Sequence, residues 1–298
     1  MRTLAAATCV LALASACTRR VPPPPPPPVA YTIGAPWEAE GVWHYPREDF
    51  SLDQTGLADV QQPPHGPLTA DNETYDPRSM AAAMASVQLP AIAVVTNLQN
   101  GLEVTVRVND RGPDNPGRLI AVTPCVATLL RMTGPTEVRV RLDPARSLAL
   151  RRQLQGSEGD LAIATAPRGM VAQQQLAPLP GSRQEAEAGP TARLDAAPDR
   201  EAVAAQIPLH LPVAVVQAEP NPGPLILDAG TFTHANAADT RQYALLGVGA
   251  RVIRSSTGRT IDYSVQAGPF STIADADAAL TRAIQLGATD ARLAVDLP

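Results

Sequence analysis

From Leu102 to Asn109 the chain alternates strictly, with Leu102, Val104, Val106 and Val108 interleaved by Glu103, Thr105, Arg107 and Asn109. A period of two predicts a half-buried strand. Asn97 and Asn100-Gly101 before it, and Gly112-Pro113 after it, supply turn chemistry on both sides. Ala91 to Thr96, Arg118 to Val122 and Glu137 to Leu142 read as further short strands. Pro77 to Val87 and Pro124 to Met132 read as helices. Together these predict a small closed β-barrel with two short helices over residues 55–142. Asp143 to Leu154 fits one amphipathic helix, after which Gln155 to Pro220 is rich in Ala, Pro, Gln, Glu and Gly, so 143–222 reads mostly as linker.

The last segment, 223–298, repeats itself. Leu227 to Phe232 (LDAGTF) recurs as Val265 to Phe270 (VQAGPF). Each copy leads into a helical run, Ala235 to Leu246 or Ile273 to Leu286, and then a second strand, Arg251 to Ser255 or Arg292 to Asp296. Two such β-α-β units predict a four-stranded antiparallel sheet with both helices on one face. The fold class is therefore mainly β followed by α+β.

The N-terminus reads as an export signal over 1–16, with Arg2 ahead of an apolar run from Leu4 to Ala14 that is too short to span a bilayer. Leu13-Ala14-Ser15-Ala16-Cys17 fits a bacterial lipobox, in which the Cys17 thiol takes a lipid and becomes the membrane anchor. An ordinary signal peptide cut after Ala16 is the alternative. Thr18 behind the cysteine, in place of Asp, suits sorting to the outer membrane. Pro22 to Pro28 then forms a stiff polyproline spacer of ~3 Å per residue. With the aromatic arm that follows, this gives a tether over 17–54. The arm, Tyr31 to Asp53, holds Trp37, Trp43, Tyr45 and Phe50, which serve either packing against the first domain or stacking on a glycan.

Once Cys9 leaves with the signal and Cys17 takes lipid, Cys125 is the lone thiol and no internal disulfide can form. Beside an apolar run it suits a buried small hydrophobe. The formal charge of −5 becomes −6 when Arg2 leaves with the signal. Such a balance, with no basic stripe, argues against nucleic acid as a partner. His65 in Pro64-His65-Gly66 has no second ligand near it in sequence, and four scattered histidines do not compose a metal site.

Four features together are similar to one known family: TADNETYD (Thr69 to Asp76), MAAAMASVQLP (Met80 to Pro90), the block from Thr96 to Arg118 containing VNDRGP, and the terminal repeat. They resemble rare lipoprotein A, the RlpA family of septal-ring lipoproteins that cleave peptidoglycan. The resemblance implies a double-psi β-barrel, and for the repeat a SPOR domain, which recognises glycan strands stripped of their stem peptides. It also implies enrichment at the division septum on the periplasmic face of the outer membrane, no cofactor, and peptidoglycan and septal-ring proteins as partners. The family's catalytic Asp falls on Asp110 and its functional Glu on Glu73. Its T-A-A-H histidine falls on Met84, which neither carries a proton nor donates a hydrogen bond. The family's R-I-I-D reads Arg118-Leu119-Ile120-Ala121 here, and its S-W-Y-G reads Asp59-Val60-Gln61-Gln62. In the repeat, Gln266, Phe270 and Phe232 are the candidate glycan contacts; Asp228 stands where the first strand usually carries Gln.

Lytic transglycosylation folds the muramoyl C6 hydroxyl onto the anomeric carbon, so it requires one carboxyl that gives a proton to the leaving oxygen and takes one back. Asp110 suits that role, or else it caps its turn. Glu73 is either a catalytic partner or a solvated loop carboxylate. Arg111 either clamps a substrate carboxylate or pairs with Asp114. Two functions follow: a peptidoglycan-cleaving lipoprotein, or a catalytically impaired relative that binds denuded glycan or septal partners without cleaving. A barrel that serves only a protein partner is a third.

Overall fold

The computed structural model describes residues 27–64, 66–155, 207–208, 210–257 and 260–297. The signal segment, the lipobox with Cys17, His65 and residues 156–206 of the linker lie outside the described residues.

The arm opens with a hairpin, β1 (Trp37–Ala39) and β2 (Val42–His44). Its two-residue turn needs positive φ twice, and Glu40 (49°) and Gly41 (77°) provide it. In register, Trp37 faces His44 and Ala39 faces Val42, while Glu38 and Trp43 occupy the opposite face. The arm lies on the barrel. Thr32 exchanges backbone hydrogen bonds with Leu89 at 2.7 and 2.8 Å, and Arg151 sits 5.3 Å over the Phe50 ring.

Next come β3 (Asp53–Val60), β4 (Ala81–Ala83), β5 (Ala91–Asn97), β6 (Leu102–Asp110), β7 (Ile120–Val122), α1 (Pro124–Leu129), β8 (Thr136–Leu142), α2 (Pro144–Gln155) and β9 (Val215–Gln217). The six strands in the order β4-β7-β3-β8-β5-β6 close into a ring because β6 also pairs with β4. The β3–β7 and β4–β6 pairs are parallel and the rest of the ring is antiparallel. This is the double-psi barrel. Closure removes the sheet edges that would otherwise stay unpaired. Val95, Val106, Val108, Val138 and Val140 fill the interior.

Two expectations need correction. Pro77 to Val87 is not a helix; it holds β4, flanked by turns. Ala81, Ala82, Ala83 and Met84 are all at most 5% exposed, wedged between β6 and β7, and the small side chains permit that close strand approach. Tertiary pairing thus overrides a strong helix propensity. The second correction is β3, absent from the predicted strands. Gly56 interrupts its pattern for a packing reason, since a Cβ there would stand 2.8 Å from Leu119 Cβ. In β6 the apolar positions are buried as the alternation requires, but Arg107 and Asn109 are buried too, at 2% and 5% exposure.

Within the segment read as linker, α2 packs on β5 through Ser147, whose hydroxyl accepts from Ile92 N at 3.0 Å, and β9 adds antiparallel to β6. The repeat then forms β10 (Leu225–Phe232), α3 (Ala235–Ala244), β11 (Arg251–Thr257), β12 (Thr260–Phe270), α4 (Ile273–Gln285) and β13 (Arg292–Val295). The sheet order is β11-β12-β10-β13 with every neighbour antiparallel. Leu227, Val265 and Leu293 bury against Ala238, Leu280 and Ala283 of the two helices. Thr272 caps α4, accepting from Asp275 N at 3.1 Å and donating to Asp275 Oδ2 at 2.7 Å.

The α+β domain is docked on the barrel. Leu57 and Leu98 of the barrel are buried in its core. Thr55 Oγ1 both donates to Val295 O (2.7 Å) and accepts from Val295 N (3.1 Å). Arg118 forms a two-pronged pair with Asp277 at 2.8 and 3.0 Å.

Candidate active site

β6 ends on Asp110, so the strand itself delivers this carboxyl to the barrel rim. There it borders an open cavity of about 440 Å³ whose walls include Trp37, Asp59, Gln61, Ala83 and Ala121. Oδ1 accepts from two backbone amides, Ala70 at 3.0 Å and Arg111 at 2.9 Å. Oδ2 accepts from Gln61 Nε2 at 3.0 Å. Burial raises the Asp110 pKa above the ordinary carboxylate range; the amide donors and the Arg111 charge oppose that shift without cancelling it.

Arg111 borders the cavity, and among the described residues it makes no ion pair with Asp114. Its guanidinium is tied to the carbonyls of Val87 (2.5 Å), Ile33 (2.6 Å) and Met84 (3.4 Å), which staples arm, β4 exit and β6 together. Burial lowers its pKa to about 10, against the pull of Asp110.

The other predicted carboxylate is elsewhere. Loop 69–73 crosses the end of β6, presenting its Ala70 N–H to Asp110 and its acidic side chains to the far side. There Glu73 Oε2 accepts from Asn109 Nδ2 at 2.7 Å, and Oε1 lies 2.5 Å from Arg107 Nη2 in ionic contact without hydrogen-bond alignment. Asp71, fully buried, accepts from Thr69 Oγ1 at 2.7 Å and stands 3.9 Å from the same guanidinium. Burial and the neighbouring Glu73 charge push the Asp71 pKa up to about 7. Glu73 is therefore no solvated loop carboxylate, and it does not line the Asp110 cavity.

A depression of about 500 Å³ on the outer wall, among Thr96, Glu103, Arg141 and Glu219, lies away from Asp110. Its Arg141 is already paired with Glu103 at 3.3 Å, and it offers no comparable chemistry.

No protein-family model matches the chain. Among curated proteins, the endolytic peptidoglycan transglycosylase RlpA of Pseudomonas aeruginosa strain PAO1 is 33% identical over 243 residues, covering 79% of this chain and 69% of the relative. The chain belongs to the RlpA family. RlpA of Escherichia coli K12 is 39% identical over 88 residues, 29% of this chain and 24% of its own. RlpA of Vibrio cholerae is 39% identical over 79 residues, 26% of this chain and 30% of its own.

Against the RlpA motifs, the structure separates what is kept from what is changed. Met84 is 1% exposed and packs in the barrel core; its backbone N–H donates to Asp110 O at 3.1 Å, and Ala83 rather than Met84 lines the cavity. Ala121 brings a methyl where RlpA has a carboxylate, yet its register partner across the parallel β3–β7 pair is Asp59, which also lines the cavity. Gln61, within the stretch that departs from S-W-Y-G, is the residue that binds Asp110 Oδ2. Sequence reasoning missed Gln61, Asp71, Arg107 and Asn109. Only the spacing of Arg107 and Asn109, both on the polar phase of β6, could have suggested that they act together.

In the α+β domain, Arg251, Gln266, Asp228 and Arg292 stand in register across all four strands. Because Val265 and Ala267 point to the helices, this row lies on the open face. Arg292 donates to Asp228 Oδ2 at 2.8 Å, and Arg251 to the Gly268 carbonyl. Phe270 and Phe232 instead rest against the buried core, with Arg241 5.8 Å above the Phe232 ring.

Proposed function

We propose that the barrel is a lytic transglycosylase acting on peptidoglycan glycan strands that lack stem peptides, with Asp110 as its acid and base. The observation that carries this reading is one buried carboxyl with a raised pKa, held by three donors at the edge of an open cavity. Oδ1, with two backbone donors, is the better seat for negative charge, so the acid proton belongs on Oδ2. Protonated Asp110 gives that proton to the glycosidic oxygen as the bond to the anomeric carbon breaks. The muramoyl C6 hydroxyl then closes on that carbon, and the carboxylate takes the hydroxyl proton, leaving a 1,6-anhydro end and a restored acid. Glu73, with Asp71, Arg107 and Asn109, acts through loop 69–73 by fixing the Ala70 amide on Asp110.

We assign the rest of the chain by the same resemblance: lipidated Cys17 as the outer-membrane anchor, and the α+β domain as a SPOR-like module that enriches the protein at the septum. Its polar row through Gln266 supports glycan recognition, and its two-repeat sheet supports the SPOR-like reading. Incubation of the mature chain with stem-peptide-free sacculi, followed by mass spectrometry, is expected to release anhydromuramic ends, and Asp110→Asn is expected to lower their release by ~10² to 10⁴-fold. A wild-type protein that binds these sacculi and releases none would overturn the catalytic reading.

A second reading has its own observation. The side chain at the RlpA histidine position, Met84, is sealed in the core, and Ala121 offers no functional group. On that reading the protein holds denuded glycan or septal partners without turnover, and the same incubation yields binding alone.

A further inference from the structure

We propose that the β1–β2 hairpin of the arm is a wall of the substrate cleft, and that Trp37 is a platform for one sugar ring of the glycan bound beside Asp110. This rests on the peptidoglycan reading of that cavity. Trp37 lines the same cavity as the Asp110 carboxyl. Its ring nitrogen donates to Ala85 O at 3.3 Å, and His44 is stacked against it at 4.6 Å with an interplanar angle of 28°. The indole is thus held at one edge and covered by His44 on one face, and it stays part-exposed where it lines the cavity. A fixed aromatic surface beside polar groups is the composition that binds a ring with one apolar face and hydroxyls at its rim.

The hairpin register separates this role from the other aromatics. Trp43 and Tyr45 are 54% and 67% exposed, but Trp43 pairs with Glu38 on the opposite face of the hairpin. His44 acts as a positioning residue for Trp37. Burial lowers its pKa despite the nearby Asp114 charge, and its Nε2 is shielded with no hydrogen-bond partner among the described residues. What it supplies to Trp37 is a flat surface.

The chain has two tryptophans, Trp37 and Trp43, so Trp43→Phe leaves Trp37 as the sole indole. With Asp110→Asn added to prevent turnover, titration of the mature chain with a peptide-free GlcNAc-MurNAc tetrasaccharide is expected to give a saturable change in indole emission. A Trp37→Phe, Asp110→Asn protein, in which only Trp43 reports, is expected to give none. In the unmutated background, Trp37→Ala is expected to raise KM about tenfold. His44→Ala is expected to weaken the response and His44→Phe to restore it, which a proton-transfer role for His44 would not allow. If Trp37 emission stays flat while the unmutated protein converts the same tetrasaccharide, this inference is overturned and the function stands. If Trp43 responds in place of Trp37, the inference is also overturned. A flat response with no conversion removes both.

Discussion

Two acidic stations flank loop 69–73, and they differ in what surrounds the charge. Asp110 meets only neutral donors and opens on a cavity. Glu73 and Asp71 share the Arg107 guanidinium; Asp71 is fully buried and Glu73 is no more exposed than Asp110, at 8% each, so the charge partner is what sets the stations apart. A carboxyl held by neutral donors can change protonation without stranding a counter-charge, so it is suited to proton transfer. A buried acid-guanidinium cluster cannot lose a member cheaply, so it is suited to fixing geometry. Carboxylates brought together from distant parts of the chain thus serve different ends because of their environment.

Exchange at Asp110 is the most direct way to break this contrast. Asp110→Asn is expected to lower anhydro-product formation by ~10² to 10⁴-fold, since an amide delivers no proton. The fold should persist: the new carbonyl can keep the two backbone donors, and Gln61 can turn its unpartnered Oε1 toward the new amide. Because the acid must begin protonated, activity is expected to fall as pH rises through the raised Asp110 pKa, with that limb above the ordinary carboxylate range. Glu73→Ala should do the reverse. Its main effect is expected in urea unfolding, a loss of about 3 kcal/mol, because Arg107 and Asn109 lose their principal partner in the interior. Adding Arg107→Met should recover much of it. If Glu73→Ala instead leaves stability intact and abolishes turnover, the division between the stations is wrong.

How much of this was legible follows the same line. Asp110 was legible because an acidic residue closing an alternating strand in an Asp-Arg-Gly-Pro turn has a recognisable place. The two-repeat sheet was legible because LDAGTF and VQAGPF restate one another, and both helical runs formed. Glu73 was named, but its partners were hidden: Arg107 and Asn109 sit on the phase of β6 that alternation assigns to solvent, and only loop 69–73, folding back from more than thirty residues upstream, buries them. Ala81 to Met84 was misread because local propensity favours a helix where parallel pairing with β6 imposes a strand. Gln61 carries no sequence signal at all; its role exists only once β3 is placed beside Asp110.

A smaller effect tests the ion-paired station by pH. The Asp71 pKa rises from its unfolded value near 3.8 to about 7, so the folded state holds this proton more tightly than the unfolded one. Its contribution to stability is therefore full below about 3.8 and is lost as pH rises through about 7. Denaturation midpoints of the wild type are expected to fall across that window, and Asp71→Asn should flatten the decline. An unchanged slope in Asp71→Asn would show that another group carries the proton.

The smallest expected effect concerns Met84→His, which restores the residue type of the RlpA motif. If sequence alone decided the matter, returning an imidazole should recover much of a general acid/base contribution of ~10² to 10⁴-fold. The structure argues otherwise. The Met84 side chain is packed in the barrel core, and Ala83 is the residue of that run facing the cavity. An imidazole in that position meets apolar neighbours, has a polar nitrogen to bury without a partner, and is expected to cost about 1 to 3 kcal/mol of stability. The gain in anhydro-product formation should accordingly stay below about tenfold, with a lowered urea midpoint as its companion. A gain of a hundredfold with unchanged stability would mean that the segment after β4 turns its side chain outward when it carries a histidine. The buried thioether would then be what holds the cleft inactive, and the contrast between a neutral-donor and an ion-paired station would have to include this third position.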